Sequence, residues 1–478
     1  IRDRSPSRGL GDVYKRQISA SALFFAQDVS IIRNTSTIYD NISSLGTARY
    51  SAMAGSMGAL GGDASVLNTN PAGLGVFITD DVSASLVINS NKSTASLAGK
   101  STSQNTSKVN LGSANGVLSF QTKENSAWKF VNVGINYVTQ NVNDKLQSPG
   151  NANITQAIIP QGQTSPSDYN IFEGHLYKTI GHRSKLNLGI GGNYDNKIYI
   201  GAAVNFSSVN IEQYDEVKVS SLNTRTSKYF TKQNTPYIEE GDGFSLSLGV
   251  IGKLSNAVRL GAAIESPTWY SIDREYNFYS RNSLGLSQNS YTENRTFRTP
   301  TKLTLSGAFI PNKHFAFNVD YRVDLGKPNF GGGAADVQLN NFYESTYKAQ
   351  HEVRIGGEYR IKSFRVRGGY AFTTSPFKDH TETMFDNNAN VVSGKLSNYI
   401  VGKTQVISGG IGYDFKMFYI DASYQHRTHE HSNPFFAGTY VNRDGNGSEG
   451  NYSVSDTSIV SNAKNQKGQL ILTLGWKF

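Results

Sequence analysis

LNLGIGGNYDNKIYIGAAVNF, Leu186 to Phe206, holds two runs of alternating apolar residues joined at Asp195-Asn196. A tight turn between two such runs predicts a β-hairpin. The scheme returns in FSLSLGVIGKLSNAVRLGAAIESP, Phe244 to Pro267, with its turn around Ser255-Asn256. KLTLSGAFIPNKHFAFNVDYRVD, HEVRIGGEYRIKSFRVRGGYAF and VISGGIGYDFKMFYIDASYQ repeat it, and GVLSFQTKENSAWKFVNVGINYV joins its two runs across Lys123 to Ser126.

Counting every such run predicts about fourteen strands of the length a tilted membrane strand needs. They fall near 82–90, 113–122, 127–139, 185–194, 197–212, 243–253, 257–272, 299–309, 314–325, 350–361, 364–375, 404–414, 417–428 and 467–478. Short turns and long polar loops alternate between them without exception, the signature of an outer-membrane barrel. The even count puts both barrel ends of the chain on the short-turn, periplasmic side. The expected fold is all-β, a 14-stranded antiparallel transmembrane β-barrel with an N-terminal plug in its lumen.

Facing agrees with this. Phe315, Phe317, Val319, Tyr321 and Val323 share one face of a strand, and Ala316, Asn318, Asp320 and Arg322 share the other. Phe364, Val366, Tyr370 and Phe372 likewise oppose Arg365 and Arg367. Period-two alternation with charge on the second face fits lipid outside and a polar lumen inside. The chain ends GQLILTLGWKF, where Leu470, Leu472, Leu474, Trp476 and Phe478 form one apolar face. Exposed on a soluble domain, such a strand is an aggregation hazard. It resembles the C-terminal signal by which outer-membrane barrels are recognised, with Trp476 and Phe478 as the candidate assembly residues and the barrel-assembly machinery as partner.

Composition permits this reading. The 478 residues include 47 Gly, 26 Tyr, 25 Phe and no Cys. With a mean hydropathy of -0.41 and no long apolar run, transmembrane helices are excluded, but barrel strands are not. Lack of Cys removes disulfides, thiolate metal sites and Cys nucleophiles. Residues 1–17, IRDRSPSRGLGDVYKRQ, differ in character from the residues after them and read as a cloning or sequencing scar. Residues 18–26 read as the end of a signal peptide, 27–80 as an N-terminal hatch and 81–478 as the barrel. The scar carries five Lys/Arg against two Asp, so the formal charge of +9 overstates a modest basic balance. No Lys/Arg cluster with interleaved aromatics marks a nucleic-acid partner.

GSMGALGGDASVLNTNPAGLG, Gly55 to Gly75, precedes the first strand and uses almost nothing larger than Leu. A phosphate-cradling glycine loop needs a strand before it and a helix after it, and neither pattern is present. A lumen of about fourteen strands is wider than side chains can fill, and a compact plug needs small residues. Asp63 is placed to cap a short helical turn, Ala64 to Asn68, with Pro71 ending it and holding Asn70 extended.

GTARYSAMAGSMGALGGDASVLNTNPAGLG, NYDNKIYIGA and the RLGAAIESPTWYS run from Arg259 to Ser271, in this order within a fourteen-strand frame, resemble the FadL/TodX family of outer-membrane transport proteins. The likeness covers Ser44 to Phe478 and is closest to the Bacteroidetes-type branch, some members of which are called haemin receptors. It implies passive passage of hydrophobic molecules, of the long-chain fatty acid or aromatic hydrocarbon type, gated by a lumen hatch. In the best-known members the ligand escapes laterally through the barrel wall. Asn70, Pro71 and Ala72 match the family's hatch motif, and Gly55, Gly58, Gly61, Gly62 and Asp63 belong to the same candidate gate. The resemblance also implies an outer-membrane location with the long loops extracellular.

Arg354, Arg365 and Arg367 point inward and are candidates to hydrogen-bond the hatch backbone; equally, they are lumen charges balanced by Glu352, Glu358 and Asp320. His426, His429 and His431 in QHRTHEHSNP could hold a metal or haem, since imidazole suits such ions, but read more simply as a solvated polar loop. No Ser-His pair stands out for catalysis. The expectation is a monomer that is not an enzyme and has no cofactor. Its partners would be a hydrophobic small molecule and outer-membrane lipid. The other function class is a secretion-associated shuttle barrel that holds exported proteins. Transport calls for an apolar pocket at the outer mouth and an ordered hatch, and a shuttle for an outward groove that accepts a peptide.

Overall fold

Alternating side chains force each strand to choose an inner and an outer face, and here the choice is consistent around a closed sheet. The computed structural model describes residues 29–40, 45–158, 164–282, 285–442 and 452–478. The scar and leader assigned to 1–17 and 18–26 lie outside them. The barrel strands are β1 Asp81–Leu97, β2 Lys100–Gln121, β3 Trp128–Ile158, β4 Asp168–Tyr194 and β5 Ile198–Ser221. Next come β6 Tyr237–Lys253, β7 Val258–Glu265 continued by Trp269–Asn282, and β8 Gly285–Arg298 continued by Thr301–Asn312. The circuit continues with β9 Phe315–Leu325, β10 His351–Ile361, β11 Phe364–Thr373, β12 Thr404–Asp414, β13 Phe418–Phe435 and β14 Ile459–Lys477. Each pairs antiparallel with the next, and β14 closes on β1 from Asp81↔Lys477 to Ser96↔Asn462. The result is a closed fourteen-stranded antiparallel barrel.

The outer face carries an apolar belt. On β14, Leu470, Leu472, Leu474 and Trp476 are exposed, while Gln469, Ile471 and Thr473 between them are buried. Trp128 packs edge-on against Tyr194 at 5.4 Å near the short-turn end, and Phe244 lies 5.1 Å from Trp269 at the opposite edge of the belt. Exposed aromatics at two levels, with aliphatic residues between them, match the two interfaces of a bilayer. No helix among the described residues is long and apolar enough to cross a membrane.

One expectation is corrected. The long polar loops foreseen after β1 and β3 are largely strand. The strand β3 has 31 residues and β4 has 27, whereas about 9–11 suffice to span a membrane. The β1–β2 connection is a turn at Ala98-Gly99, both at positive φ, so the alternation of short and long loops fails there. Beyond the belt both faces meet polar surroundings, so apolar alternation fades while the backbone ladder continues. A reading based on hydrophobic period stops where the contrast stops, not where the strand does.

At this wide end the wall also divides. The β2–β3 ladder ends at Ser113↔Val138, and no strand among the described residues pairs with the outer edge of residues 100–112. A helix, Ala334–Thr346, and a hairpin, His380–Phe385 with Val391–Leu396, lie in the β9–β10 and β11–β12 connections.

The belt predicts a depth-dependent penalty for charge. Leu472→Arg should destabilise the barrel by about 2–4 kcal/mol and Asn105→Arg, on the overhang, by less than about 1. Urea unfolding from lipid vesicles measures both.

Candidate functional site

A stretch of chain inside a closed wall must satisfy its peptide groups without bulk water. Residues 45–80 lie within the lumen in short helical pieces, nearly all buried. Thr47 caps the first piece, Ala48–Ala52, by accepting from the Tyr50 N–H. Asp63 is extended and accepts from the Ser65 N–H at 2.9 Å, capping Ala64–Asn68. Asn70, also extended, accepts from the Ala72 N–H at 3.1 Å. Pro71 therefore opens a second turn, Pro71–Val76, rather than only closing the first. Gly55, Gly61 and Gly62 sit at positive φ, where a Cβ is disfavoured. At Gly58 the restriction is space: a Cβ would lie 2.1 Å from the Ser306 hydroxyl oxygen.

Amides, hydroxyls and the Asp320 carboxylate of the wall hold the backbone of this segment. Asp320 accepts from the backbone N–H of Met57 at 3.1 Å and of Gly58 at 3.2 Å. Asn132 donates to the carbonyls of Leu74 and Phe77, and Asn187 to the Asn68 side chain at 2.8 Å. Asn70 donates to the carbonyls of Gly58 at 2.8 Å and Val250 at 3.3 Å, tying the turn to β6. Ser408 donates to the Ala52 carbonyl, and Thr473 accepts from the Ala48 N–H.

Close approach needs bare wall. A Cβ on Gly201 would lie 2.4 Å from the Pro71 carbonyl, one on Gly249 1.9 Å from the Asn70 side-chain oxygen, and one on Gly369 2.4 Å from Met53. Sequence reasoning weighed the glycines of the inserted segment and missed those facing it. NLGIGG, where Gly189 and Gly191 alternate with larger residues, and YIGAA, with small residues from Gly201 on, carry that signal.

Among the described residues the named arginines pair with carboxylates of the wall, two of which, Asp414 and Asp421, were not among the expected partners. Arg354 pairs with Glu352 at 2.6 Å, Arg367 with Glu358 at 2.8 Å and Asp421 at 2.7 Å, and Arg365 with Asp414. Their guanidinium groups thus bond to wall carboxylates. Glu358 also receives Arg49 from the lumen segment at 3.0 Å. Backbone carbonyls of the inserted chain are instead held by cations the sequence did not single out. Arg259 donates to Leu60 at 3.0 Å, Arg183 to Ile38 at 2.7 Å, and Lys302 to Asp40 at 2.7 Å.

Above this lies a second inserted piece, the helix Val29–Asn34 running into Thr35–Tyr39. Ile31, Ile32, Ile38 and Tyr39 pack against Tyr270, Phe297, Phe342 and Tyr343 in the largest apolar cluster described. Tyr39 donates to Glu239 at 2.8 Å, and burial together with that carboxylate pushes its phenol well above the usual range, so it stays protonated. The apolar space expected at the wide mouth is therefore filled by the chain itself. The open space beside it is polar, about 960 Å³ including the part continuous with solvent.

His429 and His431 face this cavity with ring centroids 5.0 Å apart, while strand alternation turns His426 to the other face. Among the described residues no three His, Cys, Asp or Glu side chains are grouped as a metal site.

Compared with known proteins, the chain matches no protein-family profile and no curated protein by sequence. Solved structures do match it. A Pseudomonas aeruginosa FadL homologue aligns with TM-score 0.55 at 12% identity, over 91% of this chain and 98% of its own. The toluene transporter TodX of P. putida aligns with TM-score 0.55 at 13%, over 91% and 99%. For the toluene transporter TbuX of Ralstonia pickettii the values are 0.53 and 13%, over 91% and 99%. The chain has the FadL/TodX fold. At such identity the likeness establishes architecture. Within that fold, this chain's lumen contacts are mostly amides and hydroxyls, and its wide end carries the long overhang.

Two substitutions probe the seat. Asn70→Ala removes three hydrogen bonds and should cost about 2 kcal/mol of local stability, read as faster amide exchange across 58–72. Gly201→Val should displace Pro71 and Ala72 and raise single-channel conductance in planar bilayers.

Proposed function

We propose that the protein is a passive outer-membrane channel for hydrophobic or amphiphilic small molecules, with its wide, overhanging end extracellular. Residues 29–80 form the hatch that controls passage. The observation that carries this reading is a membrane barrel whose lumen is closed by the chain's own N-terminal segment, held by separate hydrogen bonds to many strands. Most of these bonds are exchangeable with water or with a neighbouring amide, so the segment can shift in steps. The Arg49–Glu358 and Lys302–Asp40 pairs are the charged contacts such a shift must break. The TodX and TbuX structures are of toluene transporters, and the shared fold supports the same class of cargo here.

The hatch assignment is testable because the chain has no Cys. A Cβ on Gly410 would lie 2.7 Å from the Ala52 Cβ, so A52C with G410C brings two thiols together after a small shift. The oxidised pair should reduce uptake of radiolabelled oleate or toluene by at least tenfold in cells that lack their own carrier. Dithiothreitol should restore it. Full uptake by the oxidised protein would remove the hatch from the mechanism.

The unpaired outer edge of residues 100–112 favours one second reading, a shuttle barrel that adds a strand from an exported protein. Thr102→Pro with Thr106→Pro would abolish such capture and leave small-molecule uptake unchanged.

A further inference from the structure

Buried arginines in this protein are paired almost everywhere. Arg274 meets Glu239, Arg354 meets Glu352, Arg367 meets Glu358 and Asp421, and Arg322 meets Glu352. The polar cavity at the wide end departs from that rule. Arg33, Arg183, Arg427 and Lys467 line it together, and Asp144 is the single carboxylate among its lining residues.

Three of these cations form no ion pair among the described residues. Arg183 is 5% exposed and donates to the Gln140 side chain and to the carbonyls of Thr37 and Ile38, all uncharged. Arg33 is 7% exposed, lies over the Tyr177 ring at 4.1 Å and donates from one Nη to the uncharged Asn433 side chain, while its Nε has no hydrogen-bond partner among the described residues. Lys467 makes no ion pair among the described residues, and Asp144 is bonded instead to the amide of Asn91 at 3.1 Å. Buried charge without a counter-charge is costly, and several like charges around one space are costlier still. A site that keeps them has a use for an anion.

We infer that this cavity is a binding site for a phosphate monoester group, either a free ester or the headgroup of an amphiphile. A monocarboxylate would leave most of the positive charge unanswered. A phosphate monoester carries close to two charges at neutral pH and offers three acceptor oxygens. Lys467 and the Nε of Arg33 supply donors, and Arg183, its N–H groups largely engaged, supplies field. The cavity runs along the outer part of β3, laddered there to β4 but not to β2, where Asn141 and Asn143 line it, so a tail has a way in beside the split from β2. The anion site does not depend on the transport reading; only the amphiphile source does.

Calorimetry on the full chain in non-ionic detergent, at pH 7.5 and 150 mM NaCl, tests this. Dodecyl phosphate should bind at least tenfold more tightly than dodecanoate, and dodecanol should show no saturable binding. Lys467→Gln and, separately, Arg33→Gln should each weaken dodecyl phosphate about tenfold, with heat-modifiable electrophoretic mobility confirming the folded barrel. Competition by inorganic phosphate assigns the site to free esters; saturable dodecyl phosphate binding without such competition assigns it to a headgroup. Equal affinity for the phosphate and the carboxylate, or no change in both variants, overturns the proposal. Oleate uptake persisting beside that negative result would leave the channel reading intact.

Discussion

Peptide groups buried in a lumen that admits little water must find partners on the wall, and this requirement organises the inside of the molecule. A fourteen-stranded barrel is too wide for its own side chains to fill, so its lumen stays open or is plugged, and here chain is threaded through it. That chain brings N–H and C=O groups into a place where each one left unpaired costs about 1–3 kcal/mol. Asn132, Asn318 and Asp320 line the wall at the level of the segment and meet those groups directly, and Asn187 holds the Asn68 side chain beside them. The inserted chain in turn supplies its own caps at Thr47, Asp63 and Asn70, so that short turns too brief to satisfy themselves are completed locally.

Charge is handled separately from this neutral grip. Wall arginines and wall carboxylates pair with one another, and Glu358 gathers Arg49, Arg360 and Arg367. Arg49 is the link by which that network reaches the inserted chain, whereas most contacts between wall and segment carry no net charge. Among the described residues, several cations without an ion pair gather around one cavity at the wide end, which sets that cavity apart from the rest of the interior.

Much of the architecture was legible because lipid imposes a contrast on every strand that crosses it. Phe315 to Val323 and Leu470 to Phe478 announce their two faces plainly. The overhanging halves of β1 to β4 were not legible, since polar residues on both faces erase the period that marks a strand. Within the inserted segment, Asp63 was readable as a cap because its partner lies two residues away, whereas Asn70 was read only as extended and its own capping of the next turn was missed. The roles of Asp320, Arg259 and Arg183 were hidden by sequence separation: nothing local in VDYR or AVRL says which lumen carbonyl or amide lies opposite. The pairing of Arg354 and Arg367 with wall carboxylates was one of two open readings, and only register decides it. Residues two apart on one strand, such as Glu352 and Arg354, share a face and find each other first.

The glycines of the wall have a consequence for the empty state of the lumen. Gly189, Gly191, Gly201, Gly249 and Gly261 present a strip of naked sheet to the turns from Gly58 to Gly75. Were those turns to leave, no side chain on that strip could swing in to fill the vacancy, because none exists there. The cleared volume would keep its shape, bounded by ladder backbone whose peptide groups are already paired within the sheet. The way open and the way closed would then share one mould, and the returning chain would meet no rotamer to push aside.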